Sequence, residues 1–263
     1  MKSTHFRRIL WTVSLLPALC LVAPLSSAAK PQRLPADPTT DPAMIAAGFL
    51  DGHPDLKYRK HGLAAYGEGR HQEALAHFRR AARYGDKPSQ SMVAEMYWSG
   101  QATEQDRVLG YVWMDLAAER GYAVFVAMRE RYWAELTRDE RLRVAAAGEA
   151  VYAEFGDAVA QPRLATVLRR TSRNVTGSRT GMVGNVKIFI PGPGGIEDDG
   201  MQIDGATFYH PRYWDPVQYQ AWQDTIWMNP RLGTVSVGAV TSTVGDTDAI
   251  SAPQKTSPPP ADD

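Results

Sequence analysis

The sequence predicts a mainly α fold, a helical-repeat solenoid followed by a small C-terminal module of a β-ribbon and one aromatic-rich helix. Three observations predict it. Small residues, tyrosines and glycines recur 31 to 36 positions apart between residues 63 and 121. After residue 171 the composition turns glycine-spaced and strand-like. Residues 208–227, FYHPRYWDPVQYQAWQDTIW, then hold seven aromatics, three of the chain's seven tryptophans among them.

The first element is an address. A basic start (Lys2, Arg7, Arg8) leads into an apolar run from Ile9 to Leu25, broken by two prolines and followed by SSAA. This order predicts a cleavable signal peptide over residues 1–29, cut near Ala28 or Ala29, and a periplasmic or secreted product. The single cysteine, Cys20, leaves with that segment, and Leu19 before it does not suit lipidation. The mature chain then has no disulfide or cysteine metal site, so its core must hold it unaided. Removing 1–29 changes 29 cationic against 29 acidic residues to 26 against 29. That balance, with no basic block, argues against nucleic acid or an anionic membrane as the main partner; the membrane enters only through export. Residues 30–42 and 246–263 are rich in Pro, Ser, Thr and Asp and read as a disordered linker and tail.

Residues 43–171 carry the repeat. LAAYGEG (63–69) matches AEMYWSG (94–100), placing Tyr66 and Gly69 against Tyr97 and Gly100. ALAHFRRAARYG (74–85) matches GYVWMDLAAERG (110–121): Ala74, Phe78, Ala81, Ala82 and Gly85 align with Gly110, Met114, Ala117, Ala118 and Gly121. Small residues at that spacing let two helices cross closely. Phe78 in one copy and Trp113 in the next fill the space toward the following pair. Gly85 and Gly121 stop their helices, because glycine tolerates the left-handed cap. Thr103 with Asp106, and Thr137 with Glu140, read as helix starts, the second as a capping box. Trp133 lies 36 residues after Tyr97 and marks a degraded third copy ending near Phe155-Gly156. No pair can bury its own apolar face, so neighbours must stack. AMIAAGFL (43–50) is either a lone capping helix or part of the first pair.

These residues resemble the Sel-one-like repeat, a tetratricopeptide-related module of about 36 residues. The second copy matches it with its tryptophan and paired alanines. The first is five residues shorter between Tyr66 and Gly85, and the third keeps the length but little of the motif. The resemblance covers residues 55–157. It implies a non-enzymatic scaffold that binds a protein or peptide along a curved helical surface, and it supplies no catalytic residue and no cofactor.

Residues 172–245 form the terminal module. Asp157 to Arg170 continues as a helix, with Val159, Leu164, Val167 and Leu168 at helical spacing. Val186 to Ile190 and Gly233 to Val240 are strand candidates that could pair as a ribbon around the aromatic segment. Asp215-Pro216 opens a helix. Tyr219, Trp222 and Ile226 lie on one stripe of it, and Val217, Ala221 and Met228 on the opposite one. Two apolar stripes predict a helix sandwiched between the last solenoid helix and the ribbon.

No catalytic or metal signature is present: there is no HExxH, G-x-S-x-G or cysteine–histidine pair. GPGG (192–195), TGSRTG (176–181) and GIEDDG (195–200) read as turns and loops, and the sequon Asn174-Val175-Thr176 as a chance match. The leading expectation is an exported adaptor whose first-half helices form a shallow groove for a partner protein, with an immunity or inhibitor role as a narrower version. Its candidate partner-binding residues are Trp98, Trp133, Tyr213, Trp214, Tyr219 and Trp222. The rival is an envelope glycan or peptidoglycan binder or enzyme that stacks sugar on Trp214, Tyr219 and Trp222 beside His210.

Overall fold

The computed structural model describes residues 37–176, 186–192 and 200–229. The signal-peptide expectation, the 246–263 tail and the strand candidate at 233–240 lie outside them, as do most of TGSRTG and GIEDDG. The chain is mainly helical with a small two-stranded sheet.

A short helix α1 (Pro42–Ala46) and a 3-10 turn (Phe49–Gly52) open the fold. Asp41 caps α1 on the Ala43 and Met44 amides. The expected linker therefore ends earlier, because an Asp-Pro step is a ready-made helix start.

Three helix pairs follow: α2 (Pro54–Gly67) with α3 (His71–Ala82), α4 (Lys87–Ser99) with α5 (Arg107–Ala117), and α6 (Ala123–Glu135) with α7 (Arg138–Phe155). The period is visible in two sets of starts, since α3 and α5, and α4 and α6, each begin 36 residues apart, whereas α2 and α4 begin 33 and α5 and α7 31 apart. Ala74, Phe78, Ala81, Ala82, Trp113, Met114, Ala117 and Ala118 are all buried, and Trp113 lies against Phe155 at 4.7 Å between ring centroids. Gly69, Gly85, Gly100 and Gly121 have φ between +72° and +77°, the left-handed region where a side chain is strained. The Thr137–Glu140 capping box is formed. At the other predicted start Asp106 itself is the cap, accepting from the Leu109 amide, in place of Thr103. The third pair departs from the first two. α6 and α7 each pack on α5 more than on one another. α7 keeps small residues at Ala145-Ala146-Ala147-Gly148, but they make no close crossing with α6.

One crossing residue is absent from the sequence-level motif. Gly62, inside α2, faces the buried Phe78 ring so closely that a Cβ there would lie 2.6 Å from it. Alanine gains about 1 kcal/mol of helix propensity, but overpacking against a ring that cannot move costs about 1–3 kcal/mol. Gly62→Ala is therefore expected to lower stability by about 1–2 kcal/mol in urea unfolding; an unchanged or higher midpoint would contradict this packing.

Polar bonds tie copy to copy at nearly the repeat period. The Tyr132 hydroxyl donates to Glu95, the Tyr152 hydroxyl donates to Asp115, and Arg120 grips both oxygens of Asp157, each pair 37 residues apart. Lys87, fully buried, donates to Glu119 and to the Leu116 carbonyl and lies 3.1 Å from Asp157. A buried ammonium is tolerated only with such partners.

α8 (Asp157–Thr176) runs past the expected break at residue 171 and buries Leu164 and Leu168. The ribbon differs from expectation. β1 (Lys187–Ile190) pairs antiparallel with β2 (Met201–Asp204), Ile188 opposite Ile203. The aromatic segment follows this ribbon and does not lie between its strands. β2 escapes sequence reading because only Ile203 of its four residues turns to the core.

α9 (Gly205–Phe208), α10 (Pro211–Trp214) and α11 (Pro216–Met228) complete the chain. Their aromatic residues form a second core with Met44, Phe49 and Leu50 from the N-terminal segment, Leu56 of α2, and Leu164 and Leu168 of α8. The segment at 43–50 is thus neither a lone cap nor part of the first pair. It packs with the C-terminal module.

Candidate functional site

The first helices of the three pairs share one face, and α11 lies against it. Between them runs an open apolar trough of about 510 Å³. α2 contributes Leu56 and Leu63, α3 Phe78, α4 Met92, α6 Phe125, and α11 Trp222, Ile226 and Trp227; Arg59, Ser91, Asp37 and Thr39 add polar groups. Helical spacing explains the α11 wall. Residues 219, 222, 223, 226 and 227 fall on one face at 100° per residue.

Side-chain tips hold α11 in place. The Tyr219 hydroxyl donates to Asp55 at the start of α2. The Tyr122 hydroxyl, just before α6, donates to Asp224 at 2.5 Å. Trp227 lies over Phe125 with centroids 5.5 Å apart. Asp215 caps the helix on the Val217 and Gln218 amides, as the Asp-Pro step predicts.

The seat beneath α11 is polar, buried and charged. Arg59 donates to Asp86 at 2.8 Å, and Asp86 also caps α4 through the Ser89 amide. Burial, reinforced by the neighbouring Asp86 charge, pushes Asp55 up to about 6. Burial also raises the Tyr219 phenol well above its ordinary range, with Asp55 adding to it, and pushes Tyr122 up to about 12. Both phenols are therefore neutral donors near pH 7. Asp55 Oδ1 and Gln223 Nε2 are buried without a hydrogen-bond partner among the described residues.

His53 joins the two ends of the fold. Its ring nitrogens lie 2.7 Å from the Phe49 carbonyl and 2.8 Å from the Tyr213 carbonyl. Burial lowers its pKa to about 4, over the opposing effect of the two carbonyls. The neutral ring donates to one carbonyl and stacks on Phe49 at 4.1 Å.

The structure separates the six candidate partner-binding residues. Tyr213, Trp214, Tyr219 and Trp222 are buried, and the first three are corrected from a surface role to a core one. The reason is the N-terminal segment, which covers the rings that the sequence left open. Trp222 is also mostly buried, yet its edge lines the trough. Trp98 and Trp133 lie outside the trough. Trp98 stacks on Tyr132 at 3.9 Å beneath Arg107, and Trp133, 37% exposed, is covered by Arg141 and Tyr111. A sugar ring needs an open aromatic face, which Trp214, Tyr219 and Trp222 do not offer, and His210 caps α10 on the Arg212 amide. The sandwich expectation for α11 is also corrected. Its second stripe is solvent-facing, with Val217 76% and Met228 48% exposed.

The residues that sequence reading missed are Asp55, His53, Tyr122 and Asp224. Their partners lie 102 to 164 residues away, and no local pattern marks such pairs. Among the described residues no cluster of histidine, cysteine and acidic side chains could hold a metal, and no helix is long and apolar enough to cross a membrane.

No family model matches the chain, and no curated protein does. Among solved structures it is similar to c5321, a protective antigen present in uropathogenic Escherichia coli strains, displaying an SLR fold. That likeness has 20% identity and a TM-score of 0.38, over 44% of this chain and 27% of the antigen. The chain thus spans about a quarter of that protein's length.

Proposed function

We propose that the chain is an exported, non-enzymatic adaptor of the helical-repeat, Sel-one-like type that binds a protein or peptide partner in the cell envelope. The observation that carries this reading is the apolar trough along α2, α4 and α6, whose walls expose Leu63 (52%) and Ile226 (43%) on opposite sides. Exposed apolar residues gathered along one concave surface mark an interaction site more often than scattered ones do. The signal-peptide pattern at 1–29 supports the address, and the 36-residue spacing supports the repeat class.

Crosslinking pull-down from envelope extracts tests it, with the chain and a Leu63→Glu variant as baits. Leu63 is half exposed, so the variant keeps its fold while a charge enters the trough. The expected result is a partner captured saturably by the wild type and reduced at least several-fold by the variant. Failure to recover any saturable partner, or equal recovery by both baits, would overturn the adaptor reading.

A further inference from the structure

We infer that residues 30–36 seat in the trough, with Leu34 between Leu63 of α2 and Ile226 of α11. The chain's own N-terminal approach then occupies the surface that a partner would use. The seating itself needs no external partner. Its consequence, that a partner gains the trough by displacing this segment, rests on the adaptor reading and gives that surface its regulation.

Three observations carry the inference. The first is where the described chain begins. Asp37 and Thr39 line the trough, and Pro38 between them is buried. A turn fixes this entry. The Asp37 carboxylate accepts from the Thr39 amide and hydroxyl, and its carbonyl accepts from the Thr40 amide. The preceding residues are therefore delivered at the trough itself. The second is reach. Leu34 stands three residues before Asp37, about 10 Å of extended chain. Arg59, which lines the trough with Asp37, lies about one turn of α2 before Leu63, a rise of about 6 Å. Leu34 thus reaches the uncovered apolar wall. The third is chemistry. Leu34 is the one large apolar residue of KPQRLPA, and proline favours extended backbone in the residue before it, here Lys30 and Leu34. Extended proline-containing segments dock in grooves lined by aromatic rings, and this trough has Phe78, Phe125, Trp222 and Trp227. The segment after Asn229 is the other candidate from this chain, but Met228 and Asn229, which lead into it, do not line the trough.

Disulfide trapping tests it, since Cys20 is the chain's only thiol. In the full chain carrying Cys20→Ser, Leu34→Cys is combined with Leu63→Cys, with Ile226→Cys or, as control, with Val217→Cys on the open face of α11. These three pairing sites are at least 43% exposed, so each variant keeps the fold. Under mild oxidation an intramolecular disulfide should form at Leu63→Cys or Ile226→Cys about tenfold faster than at Val217→Cys, because docking raises the effective concentration. Its rate should not depend on protein concentration. Equal rates at wall and control sites, or no disulfide at either wall site, would overturn the inference. So would disulfide-linked dimers whose yield rises with protein concentration, which would give the trough to a second copy. Faster trapping at the wall by Leu232→Cys than by Leu34→Cys would give it to the segment after Asn229, and is equally fatal. The readout involves no partner. A failure here with the Leu63-dependent partner still captured leaves the adaptor reading standing, so the two can fail separately.

Discussion

Trp214→Ala is expected to lower the unfolding free energy by about 3–5 kcal/mol, the range for truncating a buried tryptophan. Trp214 is 5% exposed and meets Phe49, His53, Phe208 and Tyr209 with ring centroids 4.6 to 6.0 Å apart. Its indole N–H donates to the Phe208 carbonyl at 2.6 Å. It also lies so close to Gly52 that a Cβ there would come within 2.5 Å of the ring, so the cavity left behind cannot close by a simple shift of its neighbours. Val217→Ala, on the open face of α11, is the control and should change stability by no more than about 0.5 kcal/mol. Urea unfolding followed by circular dichroism separates the two. A Trp214 variant with a wild-type midpoint would mean that the second core does not hold the chain together.

Asp55→Asn is expected to remove one of two opposing pH dependences from the stability of the fold. Asp55 is raised to about 6 from 3.8, so the folded protein takes up its proton before the unfolded chain does, adding stability as pH falls from about 6 toward 4. His53 is lowered to about 4 from 6.5, so it resists protonation when folded and removes stability as pH falls from 6.5 toward 4. At about 1.4 kcal/mol per pKa unit, each effect is about 3 kcal/mol, and the signs are opposite. In the wild type the two offset one another. The variant lacks the buried carboxylate, so it should be more stable than wild type by up to about 3 kcal/mol above pH 7. That advantage should vanish toward pH 4, where His53 acts unopposed. Urea midpoints in half-unit pH steps would show it, and a pH-independent difference between variant and wild type would refute it.

How much of this was legible in the sequence follows from distance along the chain. Helix pairs two and three copies deep leave local marks: Ala81-Ala82 and Ala117-Ala118 at a crossing, Gly85 and Gly121 at a stop, Thr137 with Glu140 at a start. Each is decided within one turn or one repeat. The packing of α6 and α7 on α5 was not legible, because the third copy keeps the length and single small residues such as Ala146 and Ala153 but not, in register, the paired alanines that mark the first two copies. The candidate site was legible only as a groove somewhere on the first-half helices. Its lining was not. Leu56, Met92 and Phe125 are ordinary helix residues until α11 is laid beside them, and Trp98 and Trp133 stood out only because tryptophan is rare. The aromatic segment misled for a related reason: Met44, Phe49 and Leu50, which cover it, come more than 150 residues earlier.

That last separation has a consequence for how the chain is made. Repeat arrays gain their contacts from neighbours and can order one pair at a time as they emerge. Here the Phe49–Gly52 turn and His53 wait for Tyr213, which follows 160 residues later. At a synthesis rate of about 5–20 residues per second that is a delay of roughly 8–30 s. Throughout it, Phe49 and Leu50 have α2 and then α8 beside them but lack the rings of Phe208, Tyr213 and Trp214. The part of the molecule that emerges early is the last to be completed, and a chaperone that shields it would find its binding segment there.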